Sequence, residues 1–166
     1  MKKLFATSIL LAALPVFAAV SPDITPVGNW VTYKENDQTA KEGLVSIFQA
    51  KADDGSIVFN GKIGKSIGII DPNAPTICVN CPAPFTGKKI QGMQFLWGFV
   101  QDDEEPNHFV DGHVLDPLTG NIYNAEMTLS EDGMTLVFRG YIGISLFGSD
   151  RTWTRATKAD VGSAKK

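Results

Sequence analysis

The sequence predicts an all-β domain: a single antiparallel up-and-down β-barrel of about eight strands with one long Pro-rich loop. Two observations predict it. After the N-terminal leader, helical periodicity is nearly absent, and short apolar runs recur with Gly, Asp and Asn between them. One hairpin also shows a hydrophobic pattern that matches across both of its strands. Before Ser130-Glu131-Asp132-Gly133, Tyr123, Ala125, Met127 and Leu129 alternate with polar residues; after it, Met134, Leu136 and Phe138 share one face. A four-residue loop would pair Leu129 with Met134, Met127 with Leu136 and Ala125 with Phe138, and would set Asn124 against Arg139 on the outer face.

The elements follow in chain order. Lys2 and Lys3 form a positive start, an apolar stretch runs from Leu4 to about Phe17, and small residues stand at Val16 and Ala18. This is the pattern of a cleavable signal peptide over residues 1–18, which implies export to the periplasm. The stretch falls short of the ~20 apolar residues of a spanning helix, and Pro15 interrupts it, so no membrane insertion is expected after cleavage. The 148 residues from Ala19 onward suit one domain, read as a barrel over 19–156 with a flexible polar tail over 157–166. They carry 13 basic against 18 acidic residues and no basic stripe, which argues against nucleic acid as a partner.

Strands are expected at 28–34, 43–50, 56–66, 90–101, 107–115, 121–129, 134–141 and 150–156. Asp53-Asp54-Gly55 and Asp116-Pro117-Leu118-Thr119-Gly120 read as turns. In the fourth strand Met93, Phe95, Trp97 and Phe99 alternate and would share one face. Sequential hairpins of this kind close into a barrel that leaves no exposed edge. Between Ser66 and Lys89 lie four prolines (Pro72, Pro75, Pro82, Pro84), both cysteines and no periodicity, read as a loop across one end of the barrel.

Gly28-Asn29-Trp30, Gly61-Lys62-Ile63, Asp71-Pro72, the Cys78 and Cys81 pair, Asp116-Pro117, Gly120, Tyr123, the run from Arg139-Gly140-Tyr141 to Gly148, and Trp153-Thr154-Arg155 together resemble the exported bacterial family named domain of unknown function 2147. The resemblance implies a periplasmic or secreted protein and carries no established activity, so it supplies no mechanism. One departure is Asp111 before Gly112, where the resemblance leads one to expect glycine. A looser resemblance is to calycins, the barrel group that includes lipocalins. These open with Gly-x-Trp on the first strand and carry an Arg on the last, matched here by Gly28, Trp30 and Arg155. The resemblance implies a seal, with the guanidinium over the indole face at one end of the barrel. Arg151 would point to the same side as Arg155, but about 13 Å away along the strand.

The chemistry-bearing residues divide between sharp and plain readings. Cys78 and Cys81, two cysteines in an exported chain, are expected to form a disulfide. A reactive Cys-x-x-Cys pair and a metal site are the alternatives. His108 and His113 would point to opposite faces of a regular strand, so no metal site is expected. Asp111, Asp116 and Glu126 do not form a recognisable acid–base pair, and Gly143-Ile144-Ser145 lacks the second Gly of a nucleophile elbow, so no catalytic residue is assigned. Phe95, Trp97 and Phe99 are candidates to line a ligand cavity, with Tyr123; the plain reading of the aromatic row is barrel core, and the two readings are compatible. Arg139, with Tyr141 beside it, is a candidate anion anchor at the barrel rim; its alternative role is pairing with Asn124 or a nearby acid.

These readings converge on a periplasmic binding protein, without enzymatic activity or cofactor, that holds a small, partly apolar ligand in or at the mouth of the barrel. A cell-envelope interaction module with a filled barrel, and a small hydrolase or isomerase, are the alternatives.

Overall fold

The computed structural model describes residues 25–68 and 71–163; the signal peptide read over residues 1–18 lies outside them. Eight strands appear in the expected order: β1 (Gly28–Lys34), β2 (Asp37–Lys51), β3 (Ile57–Ser66), β4 (Gln94–Gln101), β5 (His108–Leu115), β6 (Ile122–Leu129), β7 (Thr135–Tyr141) and β8 (Ser149–Arg155). Each pairs antiparallel with the next, and β8 returns to β1, closing the barrel. Closure rests on the register Trp30 opposite Arg155 and Val31 opposite Thr154. The interior holds Trp30, Ile47, Phe59, Leu96, Phe99 and Phe109 among its buried residues. Close packing accounts for Gly112, because any side chain there would run into the Phe99 ring.

The departures from expectation are local. Strand β2 starts at Asp37 rather than residue 43, because β1 and β2 continue as a hairpin past the barrel wall. Residues 37–42 are almost all exposed there, so no alternation marks them. Strand β4 starts at Gln94 rather than residue 90; Ile90–Met93 form a turn in which Gly92 N–H donates to the Ile63 carbonyl.

The β6–β7 hairpin keeps its expected inner face but shifts by two residues. Leu129 pairs with Leu136, Met127 with Phe138, Ala125 with Gly140 and Glu126 with Arg139. The loop sets the shift. Ser130 N–H donates to the Thr135 carbonyl, Thr135 N–H donates to Ser130 Oγ, and Asp132 accepts from Met134 N–H, which leaves Met134 exposed. A two-residue slip preserves side-chain facing, so the alternation alone does not exclude it.

The described residues continue beyond β8 as far as residue 163. Lys158–Ser163 forms a short helix, α1. Thr157 and Asp160 cap it reciprocally: Thr157 N–H and Oγ1 donate to Asp160 Oδ2, and Asp160 N–H donates to Thr157 Oγ1. The buried Asp160 carboxylate also binds Lys41 of β2, which fastens the helix to the barrel.

Candidate functional site

One end of the barrel is shut. The Arg155 guanidinium lies 4.3 Å from the centroid of the Trp30 ring, and Trp30 is fully buried. Three backbone carbonyls hold the guanidinium in place. Arg155 Nε donates to Gly133 at 2.7 Å, Nη1 to Val27 at 2.9 Å and Nη2 to Thr25 at 2.9 Å. The indole N–H donates to the Pro26 carbonyl at 2.8 Å. Burial pushes the Arg155 pKa below the ordinary arginine value, and these acceptors offset the lost hydration.

The opposite end opens into a cavity of about 470 Å³, within the span of small-molecule sites. Its wall is apolar, built from Val45, Ile63, Phe95, Val114, Phe138 and Trp153. Phe138 and Trp153 stack with ring centroids 5.0 Å apart and planes 3° from parallel, so the cavity has one flat aromatic wall. Glu42, Lys65, Asp116 and Arg151 bring charge to its mouth. Ala74, Pro75 and Ile90 of the Pro-rich loop complete the lining.

That loop is a clasp with its own small core. Cys78 and Cys81 are bridged and buried, and they pack with Met93 and Leu115. Ile77 and Lys89 form an isolated bridge that ties the loop to itself. The loop lies against the outside of β4, where Phe85 stacks on Trp97 at 5.5 Å.

Of the aromatic row proposed as a lining, only Phe95 reaches the cavity. Two irregularities in β4 break the expected common face. Lys62 pairs with Gln94 and Gly61 with Leu96, so Phe95 is an extra residue on its strand. A second shift follows between Leu96 and Phe99, where Gly98 takes φ 79°. Leu96 and Phe99 therefore join the core, while Trp97 turns outward and stacks on His113 at 5.6 Å. Tyr123 sits opposite Val114, but the described lining does not include it; its hydroxyl lies 3.2 Å from Asn121 Nδ2.

Arg139 and Tyr141 stand on the outer wall, not at the rim of the cavity. Arg139 binds Asp150 at 2.6 Å and donates from Nε to the Ser145 carbonyl at 2.8 Å. Its neighbour across the pair is Glu126, which accepts from Ser145 Oγ at 2.6 Å. The cluster fastens the β7–β8 loop, on which Ile142, Ile144, Leu146 and Phe147 are exposed. Burial, then the negative Glu126 and Asp111, push the Tyr141 hydroxyl above the ordinary tyrosine pKa. The Asp116 carboxylate serves its own turn, accepting from Leu118 N–H and Thr119 Oγ1.

The two histidines correct another expectation. Between Phe109 and Gly112 the β5–β6 register shifts by one residue, with Asp111 at φ 60°. The shift returns His113 to the outer wall that His108 also faces. Among the described residues, no group of three His, Cys, Asp or Glu side chains could hold a metal ion.

The profile of a family described as uncharacterized protein conserved in bacteria, domain of unknown function 2147, matches residues 28–155. The chain belongs to that family. The match spans all eight strands and stops short of α1. No curated protein matches the chain. Among solved structures, the chain is similar to protein HP1028 from the human pathogen Helicobacter pylori, which belongs to the lipocalin family. The TM-score is 0.64 at 16% identity, over 86% of this chain and 91% of that one. At that identity the likeness establishes the fold: a lipocalin-like barrel carried by a member of the 2147 family.

Sequence reasoning did not find Val45, Ile63, Val114, Phe138 or Trp153 as lining, nor Arg151 as a mouth residue. A signal existed for the last two. Arg151, Trp153 and Arg155 alternate, so an inward Arg155 places all three on the inner face.

Proposed function

We propose that this protein is a periplasmic, non-enzymatic binding protein that holds a small, partly apolar ligand in the barrel cavity. The observation that carries this reading is the asymmetry of the barrel. One end is shut by Trp30 and Arg155, while the other opens into an apolar cavity of about 470 Å³. A barrel that served only as a scaffold would gain stability by filling that space. The leader at residues 1–18 supports the periplasmic address.

Titration with the apolar fluorophore N-phenyl-1-naphthylamine tests the cavity. We expect saturable binding to the native protein and loss of binding in Val114→Trp, which places a large ring in the lining. Equal binding by a folded Val114→Trp variant would overturn the reading. Native mass spectrometry of protein taken from the periplasm would show a retained ligand directly. The exposed Ile142, Ile144, Leu146 and Phe147 favour a second use, contact between the β7–β8 loop and an envelope protein.

A further inference from the structure

Two arginines of β8 face the inside of the barrel, and their situations differ. Arg155 at the shut end is held by three carbonyls and an indole. Arg151 at the open end is opposite Phe138 and one alternation from Trp153, so its stem rises beside the aromatic wall of the cavity. Among the described residues its partner is one carboxylate, Glu35, 2.6 Å from Nη2. Glu35 belongs to the two-residue turn between β1 and β2. Its side chain is 67% exposed, whereas that of Arg151 is 34% exposed. Lys65 adds a second cation to the mouth, and Glu42 and Asp116 are the other acids there. The Asp116 carboxylate is committed to its turn.

We propose that Arg151 is the head-group site of this cavity, and that the ligand is an amphiphile with a carboxylate head and an apolar tail. The inference rests on the cavity-binding reading and deepens it. Three features lead to it. An inward-facing guanidinium at the top of an apolar wall places a fixed positive charge where an elongated apolar ligand would end. Its planar fork matches a carboxylate with two parallel hydrogen bonds, a geometry that lysine does not provide. Finally, the site already holds a carboxylate. Glu35 stands where the ligand head would bind, on an exposed turn, as a stand-in that an incoming carboxylate displaces. Exchange of one carboxylate for another keeps Arg151 paired in the free and the loaded protein, so its charge is never left alone beside the apolar wall. The tail would lie along Val45, Ile63, Phe138 and Trp153.

The test compares decanoate with decan-1-ol, which share a chain and differ in the head, by calorimetric titration of the full mature protein. Decanoate should bind about tenfold more tightly than decan-1-ol, as expected for hydrogen bonds to a charged partner. Arg151→Gln should remove that preference by weakening decanoate to the level of decan-1-ol, and a urea midpoint close to that of the native protein reports that the variant is folded. Arg151→Lys should restore only part of the preference. Glu35→Gln should tighten decanoate binding severalfold by removing the competitor, with no effect on the alcohol. Equal affinity of the native protein for acid and alcohol, or full decanoate binding by Arg151→Gln, would overturn the proposal. If N-phenyl-1-naphthylamine enters the cavity and decanoate does not, the head-group site falls while the cavity reading stands. If none of the three binds, both fall.

Discussion

The shut end offers the sharpest test of how this fold is held, through the pair Trp30 and Arg155. Trp30 is fully buried and its indole N–H is bonded to Pro26. Truncation to Ala removes a large core side chain and should cost about 3 to 5 kcal/mol. Arg155→Ala removes a guanidinium 4.3 Å from the ring, together with bonds to three carbonyls in two segments, the stretch before β1 and the β6–β7 loop. The cation–π contact accounts for about 1 to 2 kcal/mol in a shielded setting. The hydrogen bonds add less than their sum, because the site is partly exposed and water replaces some of them. A total of about 2 to 3 kcal/mol follows, smaller than for Trp30. Arg155→Lys should recover little of it, since one ammonium does not reach Thr25, Val27 and Gly133 together while lying flat on the indole. The assay is urea denaturation of the single and double variants. Trp97 and Trp153 remain as fluorescent reporters when Trp30 is removed. The double variant should lose about 1 to 2 kcal/mol less than the sum of the singles. A coupling energy under about 0.5 kcal/mol would refute the argument that the two groups form one structural unit.

Other consequences follow from single residues. The Lys41 ammonium, then the Thr157 hydroxyl and N–H, hold the Asp160 carboxyl down to about 2 from its ordinary 3.8. Its folded pKa lies below the unfolded one, so its stabilisation is complete above about pH 5 and fades as pH falls from about 4 to 2. With allowance for the exposed Lys41, Asp160→Asn should cost about 1 to 2 kcal/mol at pH 7. The difference from the native protein should shrink to a small fraction near pH 2 and vanish below it in urea melts, and an undiminished difference there would contradict the assignment. Asp111 occupies φ 60°, a conformation that favours glycine. Asp111→Gly should raise stability by up to about 1 kcal/mol, and Asp111→Val should lower it by about 1 to 2 kcal/mol; thermal melts of both variants measure the order. Cys78 and Cys81 enclose only two residues, so a double Ala variant should fold with a loss of about 1 to 2 kcal/mol. Thiol labelling of unreduced, denatured native protein should find no free thiol.

The sequence by itself determined the class of fold, the strand count and order, and the facing of most side chains. The reason is local. A side-chain period of two is set by the backbone of each strand, so the alternation in Tyr123–Leu129 and Leu136–Phe138 declares an inner face without knowledge of any partner. The same logic placed Trp30 and Arg155 on strands that must meet if the barrel closes. What alternation does not encode is the exception to it. One extra residue at Phe95, a turn of backbone at Gly98 and another at Asp111 decide that Phe95 enters the cavity, that Trp97 leaves the inner face, and that His113 returns to the side of His108. A two-residue choice in the loop after Ser130 decides that Arg139 meets Glu126 and not Asn124. Each of these depends on hydrogen bonds to a neighbouring strand, such as that from Gly98 N–H to Asn60 Oδ1, or within a loop that the pattern does not constrain. The cavity is further from the sequence still. Its lining comes from seven strands, all but β6, together with the β5–β6 turn and the Pro-rich loop, and only closure of the barrel brings Val45, Trp153 and Pro75 around one space.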